Sequence, residues 1–349
     1  MEAKLVAGNL ERATDGLARA DGPPLIVVVG PTAVGKSELA LRLASSLGGE
    51  IVSADSRQIY RYMDVGTAKP TLQEQAQARH HLVDVVDPDE EYTLAHFQAD
   101  AYRAIDDVLA RGRLPFLVGG TGLYVRAVVE GLRIPRVAPQ PELRAELEER
   151  ARREGPDSVH RELRALDPVA AGRIDPRNVR RVIRALEVCR TARAPVSRLQ
   201  TSTPPPYRTL TIGLTADRET LYRRIDVRVD EQLAAGLVEE NRRLLAMGYG
   251  YHLPSMSGLG YRQVGMYLRG EVDLPHAIEI LKLETHRFAR QQYTWFRLGD
   301  PRIRWLESGP DAPERALALV RELVEHTAWN PTPSSRAGST SGSAGSAGA

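Results

Sequence analysis

The chain has 349 residues, 42% of them apolar and 26% charged, with a net charge of +2 at neutral pH; this is the balance of a soluble globular protein of one large or two modest domains. No apolar run approaches membrane-spanning length, the N-terminal segment lacks the apolar core of a secretion signal, and a single cysteine, Cys189, excludes an internal disulfide and a cysteine-based zinc site. A cytoplasmic enzyme fits, and with so small a net charge any polyanion must be held by local clusters of cations.

Residues 1–22 read as a disordered N-terminal extension. A catalytic core then opens with an apolar β-branched strand at 24–29, followed by a Gly-rich turn and a helix whose Leu39, Leu43 and Leu47 share one face, with Gly48 and Gly49 as its stop. Further strands are expected at 50–54, 81–86, 114–120 and 209–216, separated by helical patterns. This alternation predicts an α/β fold, a P-loop NTPase-like parallel sheet covered by helices, with the ligand site at the carboxyl ends of the strands. Between 133 and 200 the pattern is helical only, with prolines at 135, 139 and 141 at its start and 204–206 just beyond its end, so an inserted all-helical domain divides the core into 23–132 and 201–328. Long helices are expected at roughly 217–247 and 273–297, and residues 329–349, rich in Ser, Gly and Ala, read as a disordered tail.

The turn after the first strand, Gly30-Pro31-Thr32-Ala33-Val34-Gly35-Lys36-Ser37, meets the G-x-x-x-x-G-K-[ST] pattern in its required strand-to-helix context. Its glycines let backbone N–H groups turn onto phosphate oxygens, the helix N-terminus adds positive potential, Lys36 neutralises negative charge, and Ser37 can ligate Mg²⁺. The loop alone leaves open whether the phosphates belong to a nucleotide. Asp55, at the end of the second strand, can hold Mg²⁺ through water, take a proton from a nucleophile, or serve only as a turn residue. Arginines dominate the cations, with lysines only at 4, 36, 69 and 282. In the insertion Arg173, Arg177, Arg180, Arg181 and Arg184 recur at helical spacing, opposite Val182, Ile183 and Leu186, and His286, Arg290, Tyr293 and Arg297 line a second helix. Either these are solvated faces or they are walls of a groove for a phosphate backbone, with Tyr293 free to stack on a base.

GPTAVGKS, the run from Asp55 to Pro70, HHLVD at 80–84, GGTGLY at 119–124, LDPVAAGRI at 166–174, VIRALEV at 182–188, GYRQ at 260–263 and RQQYTWFR at 290–297 stand in one order. From about residue 24 to 306 the chain resembles the bacterial tRNA dimethylallyltransferase family, departing from it slightly in ending its phosphate loop with Ser37 rather than threonine. The resemblance implies transfer of a dimethylallyl group from its diphosphate to the exocyclic amine of the adenosine 3′ of a tRNA anticodon, with the phosphate loop gripping the pyrophosphate leaving group. It implies contacts of Thr121 and of Asp55, Ser56, Arg57 and Gln58 with the tRNA, Gln58 reading a base, and matches Arg224 and Arg228 to a diphosphate-binding R-I-x-x-R pattern; surface pairing with Asp226 or Glu231 is the plainer role for that pair.

On chemical grounds Asp55 is the expected proton acceptor, with Lys36 meeting the charge of the leaving group and Thr32 touching the same phosphates. The expected tRNA surface takes in Arg177, Arg180, Arg181, Arg184 and Arg290. The expected partners are the tRNA anticodon stem-loop, dimethylallyl diphosphate and Mg²⁺, with no membrane partner, and the expected state is a monomer. The rival readings are an adenylate isopentenyltransferase acting on free nucleotide and a P-loop small-molecule kinase.

Overall fold

Every side chain of β1 (Pro24–Val29) is buried, and they alternate between two cores as the period of a strand requires. Ile26 and Val28 join Leu39 and Leu43 of α1 (Lys36–Leu47) on one face, while Leu25, Val27 and Val29 pack on the other with Phe97, Ala101 and Ile105. Such a strand belongs at the centre of a helix-covered sheet. The computed structural model describes residues 22–135 and 137–327, so the expected tail and all but the last residue of the expected N-terminal extension lie outside the described residues.

β1 is central in a sheet of six parallel strands with the order β3-β2-β4-β1-β5-β6. The others are β2 (Glu50–Ser53), β3 (His80–His81), β4 (Pro115–Val118), β5 (Arg208–Thr215) and β6 (Ile303–Glu307). Between β2 and β4 run α2 (Leu72–Gln77), capped by Thr71 and Glu74, and α3 (Leu94–Ala110), which supplies Phe97 to the second core. α4 (Gly122–Val129) follows β4 and leads to the insertion.

The insertion contains α5 (Pro141–Glu154), α6 (Pro156–Leu166), α7 (Pro168–Arg173), α8 (Val179–Ala192) and the short α9 (Val196–Leu199). Leu147, Leu163, Val182 and Leu186 are fully buried in a core of its own. Its two connections to the sheet domain pair briefly: the Arg133 N–H donates to the Thr201 carbonyl at 2.7 Å and the Thr203 N–H to that of Gly131 at 2.9 Å.

Several expected elements are corrected. The strand expected over 81–86 stops at His81, because Leu82 and Asp84 adopt positive φ (61° and 57°) and the chain turns back over residues 58–61. The long helix expected over 217–247 is two, α10 (Arg218–Ala234) and α11 (Leu237–Ala246), broken at Gly236, whose φ of 93° no helix accommodates. α12 (Tyr261–Leu268), β6 and α14 (Ala312–Glu325) were not anticipated, whereas α13 (Leu274–Trp295) lies where a helix was expected. No described helix is long and apolar enough to cross a membrane.

Candidate active site

The loops that leave β1, β2 and β4 at their carboxyl ends border one cavity of about 450 Å³. Gly30 (φ 143°), Ala33 (φ 61°) and Gly35 (φ 100°) give the first loop its curl, and a Cβ on Gly30 would lie 2.4 Å from the Leu214 carbonyl oxygen. Thr32, Ala33, Lys36 and Ser37 reach the cavity; Pro31 and Val34 are buried behind it. The Lys36 Nζ donates to the Pro31 carbonyl oxygen at 2.7 Å.

Asp55, Ser56, Arg57, Gln58, Thr121 and Arg228 also line this cavity. Burial, together with the positive charge of Arg228, brings the Lys36 ammonium down to about pKa 7, against an opposing pull from Asp55. Arg228 is likewise shifted downward by burial, and Asp55 opposes that too. Two cations therefore share a poorly hydrated space, and neither has a salt-bridge partner among the described residues. An anion placed between them relieves both.

Asp55 serves the turn and still has an oxygen to spare. Its Oδ1 accepts the Arg57 N–H at 2.8 Å, while Oδ2 takes no hydrogen bond among the described residues. Thr121, at the start of α4, accepts the Ser56 N–H on Oγ1 at 3.2 Å, tying the β4 loop to the β2 loop. Arg57 is engaged within the protein: its guanidinium donates to the Pro254 and Ser255 carbonyls at 2.8 and 3.2 Å. Gln58, expected to read a base, has its amide committed instead, accepting from Ser53 Oγ at 2.9 Å and donating to the Ala68 carbonyl at 3.1 Å. It shapes the cavity wall in this state.

Two buried residues that sequence reasoning missed hold these loops. Glu240 of α11 accepts the N–H groups of Asp64, Val65 and Gly66 at 2.8, 2.8 and 3.0 Å and the Tyr261 hydroxyl at 2.6 Å, fixing the segment that carries Gly66, Thr67 and Ala68 into the cavity. Gln292 of α13 links the β1 and β4 loops. Gln292 falls inside the RQQYTWFR run, but no local periodicity marks it, since its partners are far away in sequence.

The arginines divide sharply. Arg224 does not line the cavity; it donates to Ser308 Oγ at 2.8 Å, beside Gly35. Asp226, its expected surface partner, lies instead 2.9 Å from His286, which stacks on Tyr222. Arg290 bonds the Tyr222 hydroxyl, and Tyr293, expected to stack on a base, packs on the sheet core with its hydroxyl 3.0 Å from Thr215. In the insertion Arg184 is spent on Glu187 and the Val137 carbonyl, and Arg177 is paired with Asp175 at 2.7 Å. Arg173, Arg180 and Arg181 are exposed and make no ion pair among the described residues.

The donor set suits a divalent metal ion that is bound mainly through phosphates. The described residues hold no cluster of three metal-ligating side chains, and the Ser37 hydroxyl that reaches the cavity is the sparse kind of oxygen donor that holds such an ion jointly with substrate phosphates.

Residues 58–299 match the family described as IPP transferase, and residues 23–89 match that described as isopentenyl transferase. A tRNA dimethylallyltransferase of Chloroflexus aurantiacus is 59% identical over 273 residues, covering 78% of this chain and 92% of that protein. The crystal structure of a full-length tRNA isopentenylpyrophosphate transferase from Bacillus halodurans is similar with a TM-score of 0.65 and 40% identity, covering 86% of this chain and 97% of the other. A eukaryotic dimethylallyltransferase acting on tRNA matches at 28% identity with a TM-score of 0.74, over 90% of this chain and 82% of the other. Phosphate loop, carboxylate and cavity thus occur in a chain similar along most of its length to these enzymes, and the chain belongs to the tRNA dimethylallyltransferase family.

Proposed function

We propose that this enzyme transfers the dimethylallyl group of dimethylallyl diphosphate to the exocyclic amine of the adenosine 3′ of a tRNA anticodon. The observation that carries the reading is the cavity itself, in which Lys36 and Arg228 lack carboxylate partners beside Asp55. Diphosphate lies in the β1–α1 loop against Lys36, Ser37 and the Ala33 backbone, with the Thr32 side chain beside it. The allylic C–O bond breaks with its electron pair leaving on the diphosphate, and the adenine nitrogen forms the new C–N bond. Because that amine is a poor nucleophile, the charge on the leaving group must be met as it develops, which Lys36 and Arg228 do. Asp55 Oδ2 takes the amine proton. Ser37 would hold Mg²⁺ against the diphosphate, where the ion supplies Lewis-acid stabilisation of the leaving oxygens.

The target base is stacked in an anticodon loop and must leave the stack to enter the cavity. Thr121 and the Asp55–Gln58 segment meet it there, and the exposed Arg180 and Arg181 of α8 hold the stem phosphates; the enzyme acts as a monomer in the cytoplasm. Incubation with dimethylallyl diphosphate, Mg²⁺ and either unmodified tRNA or AMP, followed by nucleoside mass spectrometry, tests this. Isopentenyladenosine is expected from tRNA alone. Product from AMP with none from tRNA would assign the adenylate reaction instead.

A further inference from the structure

Gln292 sits where two of the site loops meet. It is only 4% exposed. Its Oε1 accepts the Thr32 N–H of the phosphate loop at 2.8 Å, and its Nε2 donates to the Gly120 carbonyl of the β4 loop at 3.0 Å. A primary amide offers donor and acceptor together without charge, so one side chain satisfies the buried Gly120 carbonyl and the part-buried Thr32 N–H. The packing is as close as the bonding. A Cβ on Gly120 would lie 2.2 Å from Nε2, and one on Gly122 would lie 2.3 Å from Cγ of Trp295, one turn further along α13. Gly120 is not among the residues of positive φ, so space rather than torsion demands glycine there.

Thr121 lies between these two pressed glycines and accepts the Ser56 N–H next to Asp55. A continuous set of contacts therefore runs from Thr32 through Gln292, Gly120, Thr121 and Ser56 to Asp55. We infer that Gln292 is a positioning residue that sets the separation between the diphosphate loop and the Thr121–Asp55 side of the cavity, and so the alignment of the allylic carbon with the acceptor amine. The inference rests on the proposed placement of diphosphate in the β1–α1 loop and of the amine beside Asp55. A misplacement of about 1 Å costs such a reaction on the order of 10² in rate.

Gln292→Met keeps the length and removes both hydrogen bonds; Gln292→Glu keeps the acceptor for Thr32 and turns a repelling oxygen towards the Gly120 carbonyl. In single turnovers at saturating substrates both variants should be slowed by about 10- to 100-fold. Affinities for pyrophosphate and for tRNA, measured separately, should stay within about threefold of the parent, because both polar atoms of the amide are spent on the Thr32 and Gly120 backbone. Gly120→Ala should reproduce the loss by forcing the amide aside, and combined with Gln292→Ala it should be no slower than Gln292→Ala alone, since the methyl enters the vacated space. This arm gives a reading even where Gln292→Met does not fold. Rates within about twofold of the parent, losses confined to affinity, or effects of Gly120→Ala and Gln292→Ala that multiply in the double variant would each overturn the positioning role. Lys36→Ala and Asp55→Asn measured alongside separate the two failures: parental rates in both would mean that the site reading itself is wrong.

Discussion

The strand-end cavity and the helical insertion treat positive charge in opposite ways. In the insertion a buried carboxylate gathers arginines around itself: Glu187 is fully buried and takes Arg144, Arg184 and the Gln140 N–H, while Glu162 takes Arg150 and Arg190. In the cavity neither Lys36 nor Arg228 has a carboxylate bonded to it among the described residues, and burial first, with the charge of Arg228 added, brings the Lys36 ammonium down to about 7. Charge satisfied inside the protein holds a fold together, whereas charge left unsatisfied in a cavity is available to an incoming anion. A periodic row of arginines has no functional meaning until its partners are known.

The sharpest way to break this contrast is at the carboxylate that faces the unsatisfied cations. Asp55→Asn preserves shape and the Arg57 N–H contact but cannot take a proton, so single-turnover rates at saturating substrates should fall by about 10² to 10⁴. Recovery of the full rate at high Mg²⁺ would move Asp55 from proton acceptor to metal ligand. Lys36→Ala comes next, with turnover expected to drop by about 10² to 10³ while tRNA affinity is nearly unchanged; an equal loss of tRNA binding would dissolve the separation between cavity and insertion.

On the insertion, Arg180→Ala with Arg181→Ala should weaken tRNA binding and reduce the slope of log affinity against log salt by roughly 1.5, as expected for two lost phosphate contacts. These two are the residues to change, because replacing Arg184 would also strip a partner from Glu187. An unchanged slope would make even the unpaired arginines a solvated surface.

The smallest effect concerns acid stability. Burial raises the Glu187 carboxyl, but the hydrogen bonds from Arg144, the Gln140 N–H and Arg184 outweigh it and bring the group down to about 2. A carboxyl depressed in the folded state adds stability above its ordinary value of 4.5 and loses it as pH falls towards 2. Hydrogen exchange in α5 and α8 should therefore accelerate over that interval in the parent, and Glu187→Gln should flatten the dependence at a cost of about 1–3 kcal/mol at neutral pH.

Sequence reasoning succeeded where the determinants are local. β1, its glycine turn and α1 are contiguous, and the unbroken apolar run Leu25 to Val29 together with Gly30 and Gly35 marks the central strand and the turn that leads into α1. It failed where partners are distant. Glu187, three residues beyond Arg184, is also bonded by the Gln140 N–H and by Arg144, 47 and 43 residues away, and that distant clustering is what commits Arg184 to the interior. Gln292 meets Thr32 across 260 residues. β6 escaped notice as a short edge strand with only Leu306 buried, too weak an apolar signal to stand out.

The division of labour inside the cavity is tested most directly by the affinity of the parent, Lys36→Ala and Asp55→Asn enzymes for pyrophosphate at fixed Mg²⁺, measured by calorimetry. Lys36→Ala should bind pyrophosphate at least about tenfold more weakly than the parent, and Asp55→Asn should bind it as the parent does or slightly more tightly. If Asp55→Asn lost as much affinity as Lys36→Ala, the carboxylate would belong to the leaving-group site, and the proposed separation of diphosphate from proton acceptor would be wrong.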